Sequence, residues 1–305
     1  MTATILATLT LLGRQVATYD SGDGIDGHLA PRPFLHPVTT LAGTTVTDCR
    51  PDDHHWHLGV SVAVQDVAGS NLWGGRTYVR DHGYQWREDH GVMRHRDWIE
   101  RAADRLEHRL AWIAHDGTAL VHETRALHAT ALPGVRAWTL HWSSALHAAG
   151  SSAIDLGSPG TNGRVNAGYG GFFWRLPRPA GAVDVFTPDA SGEQAVHGRP
   201  AAWLAFASAA HDARHPYTLI FQPGDERTAA DPWFVRVEGY PGIGSALAFD
   251  EVLRLEPGTP VRLRMRVHVI DGRLGRTEVQ ALHDTISGAH HAPHTPTGDG
   301  RDLDS

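Results

Sequence analysis

Arg105–Ile113 reads RLEHRLAWI, His115–Thr118 reads HDGT, and Ala119–Ala129 reads ALVHETRALHA. Apolar and polar residues alternate on both sides of Asp116-Gly117. Two alternating runs around Asp-Gly are the strongest short-range signal of a β-hairpin. The same period continues outward. Val135–Ser143 (VRAWTLHWS) alternates after the turn residues Pro133-Gly134. Further strands are predicted at Ala202–Ser208, Tyr217–Gln222, Trp233–Glu238 and Ala246–Leu255. LRLE (253–256) and VRLRMRVHVIDG (261–272), joined by Pro-Gly-Thr-Pro, read as a last strand pair. Helical periodicity is scarce, with short helices expected only at Asp97–Asp104 and Arg276–Ile286. Many short strands with Pro/Gly turns predict an all-β chain, a large antiparallel β-sandwich. No repeat of fixed period is present, so a propeller is not expected. The expected organisation is one β-sandwich domain over 1–287 and a disordered tail over 288–305, where Pro, Gly and His dominate.

Composition narrows the chemistry. The 305 residues are 41% hydrophobic, enough for a sizeable core. Net charge is −7 and no basic cluster appears, so nucleic acid and anionic lipid are not expected partners. All 27 basic residues are arginine. Without lysine, no side chain can form a Schiff base and no P-loop lysine can reach a phosphate. The single cysteine, Cys49, cannot make an internal disulfide, and its strand-like setting predicts a buried structural thiol. The apolar N-terminus, MTATILATLTLLGRQVATY, lacks a basic segment and a clear cleavage site, and its Thr/aliphatic alternation reads as a strand. No apolar run reaches the ~18–20 residues of a membrane span, so a cytoplasmic protein is expected.

The densest polar constellation is Asp52-Asp53-His54-His55-Trp56-His57. It falls between two predicted strands, where site residues are usually mounted. In an extended segment His55 and His57 would share a face and could line one pocket. His36 could converge on them, and Asp52 and Asp53 offer carboxylates to orient an imidazole. A second stretch, Gly157–Arg175 (GSPGTNGRVNAGYGGFFWR), is irregular and rich in amide, guanidinium and aromatic groups. That mixture suits a polyhydroxylated ligand, with flat rings covering C–H faces. Arg236 and Glu238 read as a same-face structural pair. No Gly-x-Ser-x-Gly elbow is present, and the glycines of 157–175 are not a dinucleotide fingerprint, which needs a G-x-G-x-x-G opening a helix after a strand.

PFLHPVTT, TDCRPDDHHWHLGVSVAVQDVAGSNLWGG, NAGYGGFFWR, DPWFVR and VRLRMRVHVIDG together resemble a bacterial family labelled "PmoA family", methane oxygenase PmoA-like. The resemblance spans His36 to Gly272. The family's Asp-His-x-x-His-x-Gly core falls on Asp53, His54, His57 and Gly59. The chain departs from it at His55, where the family more often shows proline. The resemblance implies a galactose-mutarotase-like sandwich and a role beside sugar-degrading enzymes.

Three readings follow. The first is a carbohydrate-processing enzyme whose candidate catalytic residues are His57, Asp53 and His54. His57 would exchange protons with a sugar oxygen at a pKa near working pH, and Asp53 would orient it. His36, His55, Trp73, Arg164, Asn166, Tyr169, Trp174 and Arg175 would bind a small sugar-like ligand. No cofactor is expected under this reading. The second is a metal-dependent enzyme, including an oxygenase, with His36, His55 or His57 and Asp53 around a first-row metal. The third is a non-catalytic carbohydrate-binding protein.

Overall fold

The computed structural model describes residues 4–179, 181–209 and 215–291. Two large antiparallel sheets face each other and enclose the main core. The first has ten strands. Its main path runs Ile5–Leu11, Arg14–Asp20, Phe34–Val38, Val60–Val67, Gly171–Arg175, Gly242–Ala246 and Trp233–Arg236. The second has eight, ordered Val183–Phe186, Leu204–Ser208, Tyr217–Pro223, Val261–Asp271, Ala137–Ala148, Ala119–Ala131, Arg105–Ile113 and Val92–Arg101. The expected all-β antiparallel sandwich is therefore what the chain forms.

The Asp116-Gly117 hairpin is present, with Ala119 opposite Ile113 and Leu127 opposite Leu106. The N-terminal apolar run is a hairpin of Ile5–Leu11 with Arg14–Asp20, turned through Leu12 and Gly13, both at positive φ. Such a two-residue turn matches the twist of its flanking strands.

Four local expectations are corrected. Asp97–Asp104 is not helical. Val92–Arg101 is an edge strand along Arg105–Ile113, because the hairpin offers its backbone partners. Ala246–Leu255 is not one strand but two, Gly242–Ala246 and Leu253–Leu255. LRLE and VRLR are not paired. Leu253–Leu255 adds to Ile154–Gly157 in the first sheet, while Val261–Asp271 lies in the second between Tyr217–Pro223 and Ala137–Ala148. The Pro-Gly-Thr-Pro segment therefore carries the chain between sheets. Finally, helix Arg276–His291 reaches past 288, and the rest of the expected tail, 292–305, lies outside the described residues.

The core contains an ionic cluster that no periodicity announces. On Ala119–Ala131 the inward face is Val121, Glu123, Arg125, Leu127 and Ala129. Glu123 accepts from Arg125 Nε at 2.7 Å, Arg125 Nη2 at 2.9 Å, Trp112 Nε1 at 2.8 Å and Ser144 Oγ at 2.6 Å. Arg125 Nη1 donates to the Tyr19 hydroxyl and the Pro33 carbonyl across the sandwich, each at 3.0 Å. Tyr19 in turn meets His108 Nε2 at 2.9 Å.

Burial, with the Arg125 charge adding to it, pushes His108 down to about 2. Burial also holds His57 well below the ordinary histidine value, helped by His54, Arg175 and Arg32. Both imidazoles stay neutral in the fold and would titrate near 6.5 when unfolded. The unfolded chain therefore binds protons that the fold refuses. Stability should be level above about pH 7 and fall below about 6.5, by about 1.4 kcal/mol per pH unit for each group. Asp231, pushed up to about 6 by burial, works in the opposite sense below that pH. Urea midpoints between pH 7.5 and 5.0 check this, and an unchanged midpoint would mean the two imidazoles charge freely in the fold.

Candidate functional site

The site is built on the outer face of the ten-stranded sheet. On Val60–Val67, Val60, Val62 and Val64 enter the main core, so Ser61, Ala63 and Gln65 face outward by strand alternation. On Gly171–Arg175, Phe172 and Trp174 enter the core, and Phe173 packs outward with Ala63, Trp73, Tyr169 and Phe234. This apolar cluster floors a cavity of about 450 Å³.

The Asp52–His57 segment folds over one wall as two consecutive turns. His54 N–H donates to the Pro51 carbonyl, His57 N–H to the His54 carbonyl, and Arg50 N–H to the His57 carbonyl. A turn places residues three apart on one side, so His54 and His57 meet. Their rings stack at 4.5 Å with 16° between planes. The expected His55/His57 pairing is corrected for the same reason: the segment is not extended. His55 is exposed and lines a neighbouring depression with Asp26, His28 and Glu88. Gly59 closes the segment at φ +47°, where a Cβ would lie 2.1 Å from the Leu35 carbonyl oxygen. Gly75 admits the Trp56 indole, whose ring atoms sit 2.6 Å from where its Cβ would be.

Arg32, fully buried, ties these pieces together. Its Nε donates to Ser61 Oγ at 3.1 Å, Nη1 to the Trp73 carbonyl at 3.0 Å and Nη2 to the Trp56 carbonyl at 2.9 Å.

Asp53 pairs with His54, not with His57 as expected. Its Oδ2 lies 3.0 Å from His54 Nδ1, and Arg175 Nη2 reaches both carboxylate oxygens at 3.2 and 3.3 Å. Arg178 Nη2 stands 3.6 Å away. Burial alone would raise the Asp53 pKa, but the His54 hydrogen bond and the Arg175 charge outweigh it and hold the carboxyl below its ordinary value. Burial lowers His54, with Arg175 and Arg178 opposing the pull of Asp53. The pair is thus a carboxylate and a neutral imidazole. An ionised Asp53 only accepts, so Nδ1 of His54 carries the hydrogen and Nε2 keeps the lone pair. A buried neutral His57 does not match the expected pKa near working pH, because desolvation disfavours its charged form.

Of the other sequence candidates, Trp73, Arg164 and Tyr169 line the cavity. Tyr169 and Tyr84 join their hydroxyls at 2.9 Å, Gln65 donates to Tyr169 at 2.7 Å, and Arg164 Nη1 donates to Tyr84 at 2.6 Å. Burial raises both phenols, so they remain protonated donors at neutral pH. Arg175 lies beneath the wall, its guanidinium 5.2 Å from the Tyr240 ring. Asn166 contributes its backbone, accepting from Arg236 Nη2 at 3.0 Å and meeting His197 Nε2 at 3.1 Å. Trp174 is not a ligand face. It is fully buried between the sheets, donating Nε1 to the Val46 carbonyl, because Phe173 takes the outward parity. His36 is half-buried on its strand and bonds Thr47 Oγ1 at 3.0 Å, away from the cavity lining.

The supposed metal set of His36, His55, His57 and Asp53 therefore does not assemble. Among the described residues no three His, Cys, Asp or Glu side chains are grouped to hold a metal ion. Arg236 pairs with Glu193 at 3.6 Å rather than with Glu238. Cys49 is half-buried, its thiol pushed up to about 12 by burial.

The lining also includes Trp56, Tyr84, Trp86, Phe234 and Tyr240, which sequence reasoning passed over, and Arg236, which it read as structural. Trp56 sat inside the singled-out constellation and could have been found there. Tyr240 packs on His54 with ring centroids 4.4 Å apart and planes tilted by 47°, but it follows a Glu-Gly turn that carries no signal. Trp56 and Trp86 also line the neighbouring depression of about 580 Å³, so the two hollows share an aromatic ridge.

A family model, "Family of unknown function (DUF6807)", matches residues 7–284. The chain belongs to DUF6807. This match overturns the resemblance to the PmoA family. No curated protein matches the sequence. Among solved structures, this DUF6807 member is similar to a galactose mutarotase related enzyme from Lactobacillus acidophilus, with 8% identity and TM-score 0.42 over 88% of this chain and 99% of that one. It is similar to a putative aldose 1-epimerase from Escherichia coli K12, with 14% identity and TM-score 0.40 over 88% and 100%. It is also similar to a GH36 alpha-galactosidase from Geobacillus stearothermophilus in complex with raffinose, with 10% identity and TM-score 0.33. That match covers 77% of this chain, which spans 30% of the galactosidase. Among the described residues no helix is long and apolar enough to cross a membrane.

Proposed function

We propose that the cavity binds a sugar and that His54, held by Asp53, exchanges a proton with it. The observation that carries this is the ionised Asp53 beside neutral His54 in the wall of a tryptophan- and tyrosine-lined hollow. Trp56, Trp73 and Trp86 supply flat apolar surfaces for the C–H faces of a pyranose. Tyr84, Tyr169 and Tyr240 keep their protons, since burial raises all three. They offer hydrogen bonds to hydroxyls and a route for returning a proton. The His54 lone pair is the matching base, and the Asp53 carboxylate steadies the imidazolium that forms when it acts.

The catalytic base in this reading is thus His54 rather than His57, which contributes a neutral ring stacked against it. A panel of mono- and oligosaccharides, assayed for both binding and turnover, tests the proposal. Trp56→Ala should lose about tenfold in affinity, the effect of ~55 Å² of lost apolar contact at ~25 cal/mol per Å². Binding without turnover over long incubation would remove the acid–base role and leave a binding site. Full affinity in Trp56→Ala would remove the sugar from this cavity.

A further inference from the structure

The cavity wall is one-signed. Among the described residues its lining carries Arg76, Arg164 and Arg236 and neither Asp nor Glu, on a chain whose net charge is −7. Arg164 spends its contacts on Tyr84, as a hydrogen-bond donor and with its guanidinium 4.8 Å from the ring, and neither neutralises it. Arg236 has Glu193 at 3.6 Å.

Two more guanidinium groups lie buried behind the wall. Arg32 makes all five of its hydrogen bonds to a hydroxyl and backbone carbonyls, with no carboxylate among them. Arg175 shares Asp53 with His54 and Arg178 and leaves Nε and Nη1 buried without a partner among the described residues. Buried positive charge without a carboxylate of its own, as at Arg32, is costly to hold. A hollow with walls of low dielectric focuses that field on whatever enters it.

We propose that this cavity selects sugars bearing an anionic group, a carboxylate or a phosphate, over their neutral counterparts. This rests on the sugar reading above and adds the charge of the ligand to it. Arginine suits the task, because its planar fork meets the paired oxygens of either group. Arg76 and Arg164 are exposed at the rim and have no carboxylate partner among the described residues, so they are the groups available to a ligand. The aromatic surfaces would take the ring and the rim arginines its charge.

Calorimetric titration of the whole chain with glucose, glucuronate, glucose 6-phosphate, acetate and inorganic phosphate tests this, with the rest of the panel following if needed. One of the two acidic sugars should bind about tenfold or more tighter than glucose, the size expected of one charge-assisted contact. The advantage should shrink as salt rises and in Arg164→Ala and Arg76→Ala, whose exposed side chains can be removed without touching the core. Which acidic sugar wins identifies the carboxylate or the phosphate as the group read. Equal binding of glucose and its acidic forms, sensitive to Trp56→Ala, would overturn the charge selection and leave the sugar reading standing. Acetate or inorganic phosphate binding as tightly as the sugars would overturn both, as would no binding by any member of the panel.

Discussion

His54→Ala should lower kcat/KM on the sugar substrate by 10²–10⁴-fold, the usual worth of a positioned acid–base group. The fold should survive, because His54 is partly exposed and lies in a turn outside the core. Asp53→Asn should fall in the same direction. An amide in place of the carboxylate can donate to Nδ1 and hold the wrong tautomer, with the hydrogen on Nε2. The pH profile separates this from a structural effect. Burial, opposed by Asp53, keeps the His54 pKa below the usual histidine value. The free base therefore prevails through neutral pH, and kcat/KM should be flat there and decline only on acidification below the ordinary histidine range. Steady-state kinetics from pH 5 to 8 measures it. Undiminished turnover by a folded His54→Ala, or a profile that rises as pH falls, would remove His54 from the chemistry.

The second large effect is on stability. Glu123→Ala should cost about 3–5 kcal/mol, because it strands the Arg125 guanidinium in the sandwich core without its carboxylate partner. It also leaves Trp112 Nε1 and Ser144 Oγ without their acceptor. Replacing both partners, Glu123→Leu with Arg125→Met, should recover the part of that loss due to the stranded guanidinium, since a buried pair exchanged for apolar groups is often neutral, while the unpaired Trp112, Ser144 and Pro33 groups keep the rest. Urea unfolding of the single and double variants gives the comparison. A single-variant cost below about 1 kcal/mol would show that water or another acceptor reaches Arg125 when Glu123 is gone.

The fold was largely legible because its signals are local. The alternation of RLEHRLAWI and ALVHETRALHA and the Asp116-Gly117 turn specify a hairpin by themselves, and the N-terminal Thr/aliphatic run specifies another strand. Period 2 and turn chemistry depend on neighbouring residues alone. The D-D-H-H-W-H segment was likewise singled out, since its composition marks it without knowledge of the fold, and its His54, Trp56 and His57 line the cavity.

What the local signal lacks is parity and pairing. In Gly171–Arg175 three aromatic residues follow one another, so nothing local says whether Phe173 or Trp174 faces the cavity. Pairing with Val60–Val67 and Gly242–Ala246 decides it, and Trp174 goes inward. Glu123 and Arg125 share the parity of Val121 and Leu127, but as charged residues they carry no local signal of burial. They lie in the core because Tyr19 and Trp142 on other strands complete a network that neutralises them. His54 rather than His55 joins His57 because the segment turns instead of extending, held at its base by the Arg50–His57 bond and the Cys49–Leu58 bridge. Tyr240 reaches the cavity, and Arg32 and Arg175 the buried side of its wall, from distant parts of the chain, and only the stacking of strands into a sheet brings them there. The sequence alone determined strands, turns and where polar chemistry concentrates, because these follow from nearest neighbours. The tertiary structure decided which face each strand shows and which imidazole meets the carboxylate, because those depend on long-range pairing.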